Sequence, residues 1–218
     1  MSNRARIAGD YVHIYQSLGD VFPGPDEAEL KAGRYYDEWI PNFHCFITYG
    51  PAPLRYAVSD DLDRWTPHGG LVGAPQGRDP NVLFWNDRYH LAVCGLHEVT
   101  MAVSRDLTSF TGERSILNMN HSIAPESPTL VRHAGTFYLF VCGWDGIWDG
   151  RELDGAYQHV TYVFQSDDPW QFDADRELTR LNAHAPEIFQ DEQGDWYISS
   201  AQYPRRGVSL ARLVWDTP

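Results

Sequence analysis

The chain has few cations. Its 218 residues include 17 Lys and Arg against 30 Asp and Glu, for a formal charge of −13 with His neutral. That charge repels phosphate backbones and anionic lipid, so no nucleic acid and no membrane is expected as a partner, whereas a neutral substrate is compatible. Long apolar runs are missing too: none approaches the ~20 residues of a membrane span, and no apolar signal-type stretch follows Met1-Ser2-Asn3-Arg4-Ala5-Arg6. The expected location is cytoplasmic. Cysteine is scarce. Cys45, Cys94 and Cys142 are odd in number, lack CxxC spacing and each lie inside an apolar strand-like run, which points to buried free thiols rather than a disulfide or a metal site. A Gly-rich phosphate loop, a G-x-S-x-G elbow and HExxH are all absent, and His44, His90 and His133 lack metal-ligand spacing, so structural roles are expected of them.

Helical periodicity is nearly absent as well. One short helix is expected at 26–32, after Pro23-Gly24-Pro25. What is present is strand signal: short runs rich in Val, Ile, Phe, Tyr and Trp, separated by Gly, Pro, Asn and Asp. The class is all-β. Aromatics make up 14% of the chain, with eight Trp and twelve Tyr, a composition that suits short strands and sugar-stacking surfaces.

Internal repeats sharpen this reading. Ser, any residue, Asp, then an aromatic four residues on occurs as Ser59-Asp61-Trp65, Ser104-Asp106-Phe110 and Ser166-Asp168-Phe172, each copy after an apolar run. Such a unit reads as a strand ending in a turn whose amides bond the Ser and Asp side chains while the aromatic covers the edge. Upstream, Val82-Leu83-Phe84-Trp85, a turn at Asn86-Asp87, then a run ending Val93-Cys94-Gly95 recurs as Thr129-Leu130-Val131, a turn at His133-Ala134-Gly135, then a run ending Val141-Cys142-Gly143. It recurs again as Ile188-Phe189, a turn at 191–195 and Trp196-Tyr197-Ile198. Strand, tight turn, strand, loop, strand at this period is how a propeller blade is written. The expected organisation is an irregular N-terminal segment at 1–42 and blades over 43–218: a partial one at 43–70, then about 78–116, 125–181 and 185–218. A β-sandwich is the competing arrangement.

Blade openings carry acids: Arg78-Asp79-Pro80, Pro125-Glu126-Ser127-Pro128 and Ala185-Pro186-Glu187. First strands line a propeller's channel, so carboxylates from different blades converge on one funnel. Glycoside hydrolysis needs such a cluster, with one acid of raised pKa to protonate the leaving oxygen and a second carboxylate across the sugar. At this point the sequence resembles a known family. Arg78-Asp79-Pro80 followed by Asn81-Val82-Leu83-Phe84-Trp85, then Glu126 with Tyr138-Leu139-Phe140 behind it, is similar to the last three blades of the five-bladed glycosidases of families 43 and 32, over about 56–216. The resemblance implies a glycoside hydrolase acting on terminal arabinose, xylose or fructose. It assigns the general acid to Glu126 and the transition-state stabiliser to Asp79, and makes His184 and Glu187 candidate substrate residues. Arg78, beside Asp79, is a further substrate candidate, as is Trp144, in a stretch (144–150) that reads either as a loop whose indoles stack on a sugar or as a self-packed turn. No cofactor is required by the resemblance, and some members of the family carry a calcium ion in the channel, so one is allowed.

The fit has a gap. Five blades of about 50 residues need ~250 residues, more than this chain has, and Phe43 follows Asn42 where the family would place a first-blade strand. Most of a first blade and the start of the second are expected to be absent, and the base or nucleophile Asp with them. Asp37 is the candidate substitute, ahead of Asp20. The alternative is a catalytically impaired carbohydrate-binding propeller, and an incomplete ring leaves a strand edge through which copies self-associate.

Overall fold

A computed structural model describes residues 4–14, 54–58, 66–95, 97–119, 124–144, 157–201 and 207–216. Alternating and doubly apolar runs become strands throughout, and no helix occurs among the described residues. The short helix expected at 26–32 lies outside them. Strand β1 (Arg4–Ile14) is followed by a two-stranded sheet of β2 (Arg55–Val58) and β3 (Thr66–Gly70). Three four-stranded antiparallel sheets follow among the described residues. The first takes β4 (Arg78–Trp85), β5 (Arg88–Cys94), β6 (Glu98–Ser104) and β7 (Phe110–Asn118) in order. The second takes β8 (Ala124–His133), β9 (Thr136–Trp144), β10 (Tyr157–Ser166) and β11 (Glu177–Leu181). In the third, β12 (Ile188–Gln190), β13 (Trp196–Ala201) and β14 (Val208–Asp216) are joined by β1, which pairs with β14.

That last pairing corrects the expectation of an irregular 1–42. Residues 4–14 form a strand running antiparallel to β14 from Arg4 opposite Asp216 to Ile14 opposite Val208. The register shifts between Ala8 and Val12, so Gly9-Asp10 lies at a bulge inside a continuous strand. Without β1 the ladder of β14 would end in unpaired backbone groups; with it the two ends of the chain share one sheet and that edge is filled.

The sheets stack face to face. Strand β9 shows why its sequence is apolar at consecutive positions: Phe137, Leu139 and Val141 pack toward the first four-stranded sheet, while Tyr138 and Phe140 pack toward the third. A strand buried on both faces loses the polar alternation. Tight hairpins join inner strands to their neighbours. Asn86 and Asp87 both adopt positive φ between β4 and β5, and Ala134 and Gly135 do so between β8 and β9, the handedness that suits two-residue hairpin loops.

The Ser-x-Asp turns form as their chemistry requires. Ser104 Oγ accepts from the amides of Asp106 and Leu107, and Asp106 Oδ1 accepts from those of Thr108 and Ser109. The third copy repeats this with Ser166 and Asp168. The aromatics do something other than cover an edge. Phe110 enters the core that includes Leu54, and Phe172 enters the seam between the first two four-stranded sheets, where its amide donates to Ile116 O. Each thus seals a seam toward the preceding sheet. The first copy, Ser59-Asp61-Trp65, lies outside the described residues. His90 and His133 serve packing: His90 lies against Trp85 and Trp170, and His133 stacks on Trp215 at 4.4 Å.

Candidate active site

Each four-stranded sheet begins with the same four-residue corner. The three copies are Arg78-Asp79-Pro80-Asn81, Glu126-Ser127-Pro128-Thr129 and His184-Ala185-Pro186-Glu187. The second residue of each, Asp79, Ser127 and Ala185, has positive φ of 55°, 46° and 46° without being glycine, a conformation that costs energy and is held only by its surroundings. Proline follows each time. In the first two corners the pairing register shifts, between Arg78 and Asn81 and between Glu126 and Thr129.

This common frame revises the equivalence read from the sequence. Asp79, Glu126 and Glu187 open their blades but occupy the second, first and fourth corner positions, so their side chains leave the backbone in different directions. The first positions form a line across the inner strands. Arg78 Nη2 donates to Glu126 Oε1 at 3.2 Å while Nη1 donates to Gly95 O at 3.2 Å. Glu126 in turn lies beside Cys142, its register partner on β9, whose Sγ is 3.0 Å from His184 Nδ1. The fourth positions tie neighbouring sheets together. Asn81 Oδ1 accepts from the amide of Leu130 at 3.0 Å, and Thr129 Oγ1 donates to Pro186 O at 2.8 Å. Asp79, in the second position, sends Oδ2 to the amide of Ser127 at 3.0 Å, directly after Glu126.

Electrostatics distinguish these acids. Asp79 Oδ2 is 3.9 Å from Arg78 Nε, so both carboxylates flank one guanidinium. Burial pushes Glu126 above its ordinary carboxylate value; Arg78 pulls the other way and Asp79 pushes further up. The balance is upward because Glu126 is buried at 8% exposure. Glu187 is also raised, by desolvation first and by Asp79 second. Its surface remains open to solvent, so crowding by neighbouring atoms, rather than enclosure, is the cause. Burial drives the Cys142 thiol up to about 12, and it remains protonated at neutral pH.

Of the remaining expected residues, Arg78 and His184 join this cluster. Trp144 ends β9, with its backbone opposite Ala124 and Tyr157, while the loop after it, 145–156, lies outside the described residues. Asp37 and Asp20 lie outside them as well. The sequence reading missed Cys142, Asn81 and Ser127; the recurring residue-Pro step at 79–80, 127–128 and 185–186 is the signal that would have found their frame.

One group of three metal-ligating side chains is present among the described residues, Glu126, Cys142 and His184, with ligand atoms all within 4.8 Å of one another. Calcium takes six to eight oxygen ligands. A thiol, an imidazole and one carboxylate do not fit the channel calcium that the resemblance allows.

No family model matches the chain, and no curated protein matches it. Solved structures do. The chain superposes on the GH43_1 enzyme of Xanthomonas citri with a TM-score of 0.56 at 17% identity, covering 73% of this chain and 60% of that one. A GH43B protein from a Bacteroides ovatus xyloglucan PUL gives 0.55 at 14% identity over 75% and 35%, and a bifunctional GH43-CE protein of Bacteroides eggerthii gives 0.50 at 15% over 74% and 21%. The chain thus spans less than two thirds of these neighbours' lengths. The likeness is one of fold: an all-β propeller of the glycoside hydrolase family 43 type. Family 32 finds no support in these three.

Proposed function

We propose that the chain is the propeller of a family 43-type glycoside hydrolase that removes terminal sugars such as arabinofuranose, xylose or fructose from oligo- or polysaccharides. One observation carries this reading: a buried carboxyl of raised pKa, Glu126, shares a guanidinium with a second carboxylate, Asp79, on an adjacent inner strand. In this reading Glu126 is the general acid. Desolvation favours its protonated form, and once it gives its proton to the leaving oxygen, Arg78 at 3.2 Å stabilises the new carboxylate. Asp79 opposes the positive charge that develops on the sugar, and its bond to the Ser127 amide fixes the backbone next to the acid. Glu187, open to solvent, is available to sugar hydroxyls, and Trp144 lies at the end of β9. Asp37 is the candidate base. A carbohydrate-binding propeller without hydrolysis is the second reading, favoured by the lack of a family-type first-blade Asp at a strand entrance in the sequence.

The test compares wild type with Glu126→Gln on nitrophenyl arabinofuranoside, xyloside and fructoside, with sucrose and arabinan alongside. Loss of a general acid costs about 10²–10⁴-fold. The loss is expected to be smaller for nitrophenyl leaving groups, which depart without protonation, and the wild type's fall in activity at high pH should vanish in the variant. An unchanged rate on arabinan would remove Glu126 from the chemistry. Sugar binding without turnover in either protein would establish the second reading.

A further inference from the structure

We propose that Glu126, Cys142 and His184 form a binding site for a single thiophilic divalent cation of the Zn²⁺ type at the channel end of β8 and β9. The three ligand atoms are sulfur, nitrogen and oxygen, and they come from three separate pieces of chain: β8, β9 and the corner that precedes β12. All three residues are buried, at 8%, 0% and 5% exposure. Zinc bonds of about 2.0–2.3 Å place neighbouring tetrahedral ligands roughly 3.3–3.6 Å apart. The present separations, 3.0 Å between Cys142 Sγ and His184 Nδ1 and no more than 4.8 Å overall, bracket that figure, so closing the site asks for about an ångström of movement from the glutamate side chain.

The fold supplies an internal comparison. Cys94 and Cys142 hold equivalent places, each the register partner of the first corner residue: Arg78 for Cys94 and Glu126 for Cys142. A guanidinium beside Cys94 repels a cation. A carboxylate and an imidazole beside Cys142 supply ligands. Asp79, whose charge acts on both Glu126 and Glu187, adds a further attraction for positive charge. The donor set also decides the class of metal, since thiolate with imidazole selects zinc-like ions over calcium or magnesium.

Binding proceeds by exchange. The cation takes the thiolate of Cys142, and the thiol proton leaves to solvent, with a second proton released from Glu126 where that group is still protonated. Affinity therefore rises with pH, about tenfold per pH unit for each proton released. Three protein ligands leave a fourth position for water. The site itself does not depend on the hydrolase reading; inhibition, through capture of the acid's oxygen, rests on it.

The experiment titrates the metal-free full-length chain with Co²⁺ and follows the thiolate-to-cobalt charge-transfer absorption and the visible bands of tetrahedral cobalt, then displaces the cobalt with Zn²⁺. One equivalent is expected, with the thiolate band retained in Cys94→Ser and Cys45→Ser and lost in Cys142→Ser. Because Cys142 is fully buried, His184→Gln is read beside it; that variant keeps the thiol and should bind at least about tenfold more weakly. No thiolate band in the wild type, or a band that follows Cys45 or Cys94, overturns the proposal. Glycosidase assays with and without Zn²⁺ then address the inhibition separately, so a chain that binds one cobalt through Cys142 and hydrolyses nothing would keep the metal site while ending the hydrolase reading.

Discussion

Replacing Arg78 by Met removes the charge that holds the candidate site together and keeps most of the side chain's bulk. The guanidinium lies 3.2 Å from Glu126 Oε1 and 3.9 Å from Asp79 Oδ2, with the side chains only 11–15% exposed. At an effective dielectric of ~20, unit charges 3–4 Å apart attract by about 4–5 kcal/mol, and deleting one partner of a buried pair typically costs ~3–5 kcal/mol. How much of that is felt depends on the charge of Glu126. Burial already lifts its pKa above the ordinary 4.5 and Arg78 opposes the lift, so the variant's value moves further up. A carboxyl whose folded pKa exceeds its unfolded one contributes stability that is fully present below the unfolded pKa and is lost as pH rises through the folded one. Arg78→Met should therefore approach wild-type stability below about pH 4. The gap should open to ~3–5 kcal/mol once the pH has passed the raised value. Urea unfolding followed by Trp fluorescence over a pH series measures this directly. A gap of equal size at every pH would refute the reasoning, and would mean that Arg78 acts through its packing and its hydrogen bond to Gly95 O.

Two further perturbations test the frame around the site. Phe172→Ala empties a side chain that is 6% exposed in the seam between the first two four-stranded sheets, and should cost ~3–5 kcal/mol in chemical denaturation; a loss below about 1 kcal/mol would mean that the seam collapses around the cavity. Removing residues 1–14 strips β1 from β14 and exposes a long edge, so the shortened chain should unfold at lower temperature and self-associate in light scattering. A monomer with an unchanged melting temperature would show that β1 contributes nothing to the last sheet.

The parts of this fold that the sequence makes legible are those written by local chemistry. The Ser-x-Asp turns at 104–110 and 166–172 need only their own side chains and amides, and the hairpin at Asn86-Asp87 needs only residues that tolerate positive φ. Strand β1 was illegible for the opposite reason: Gly9-Asp10 breaks the alternation, and the partner that makes 4–14 a strand lies at the other end of the chain. The site falls between these cases. Acids at blade openings could be counted, but the corner's bulge, which adds a residue between Arg78 and Asn81 and between Glu126 and Thr129, sets where each points, and a bulge is fixed by pairing rather than by pattern. Cys142 shows the same limit. Inside Phe137-Tyr138-Leu139-Phe140-Val141-Cys142 it reads as core, because every neighbour is core; only the register opposite Glu126 and the approach of His184 from the next corner turn the end of that apolar run into a place with chemistry. A strand buried on both faces for most of its length must end somewhere, and the apolar run of β9 ends at Cys142 against the corners that open β8 and β12. The last residue of such a run, rather than its middle, is therefore where functional side chains hide among hydrophobic ones.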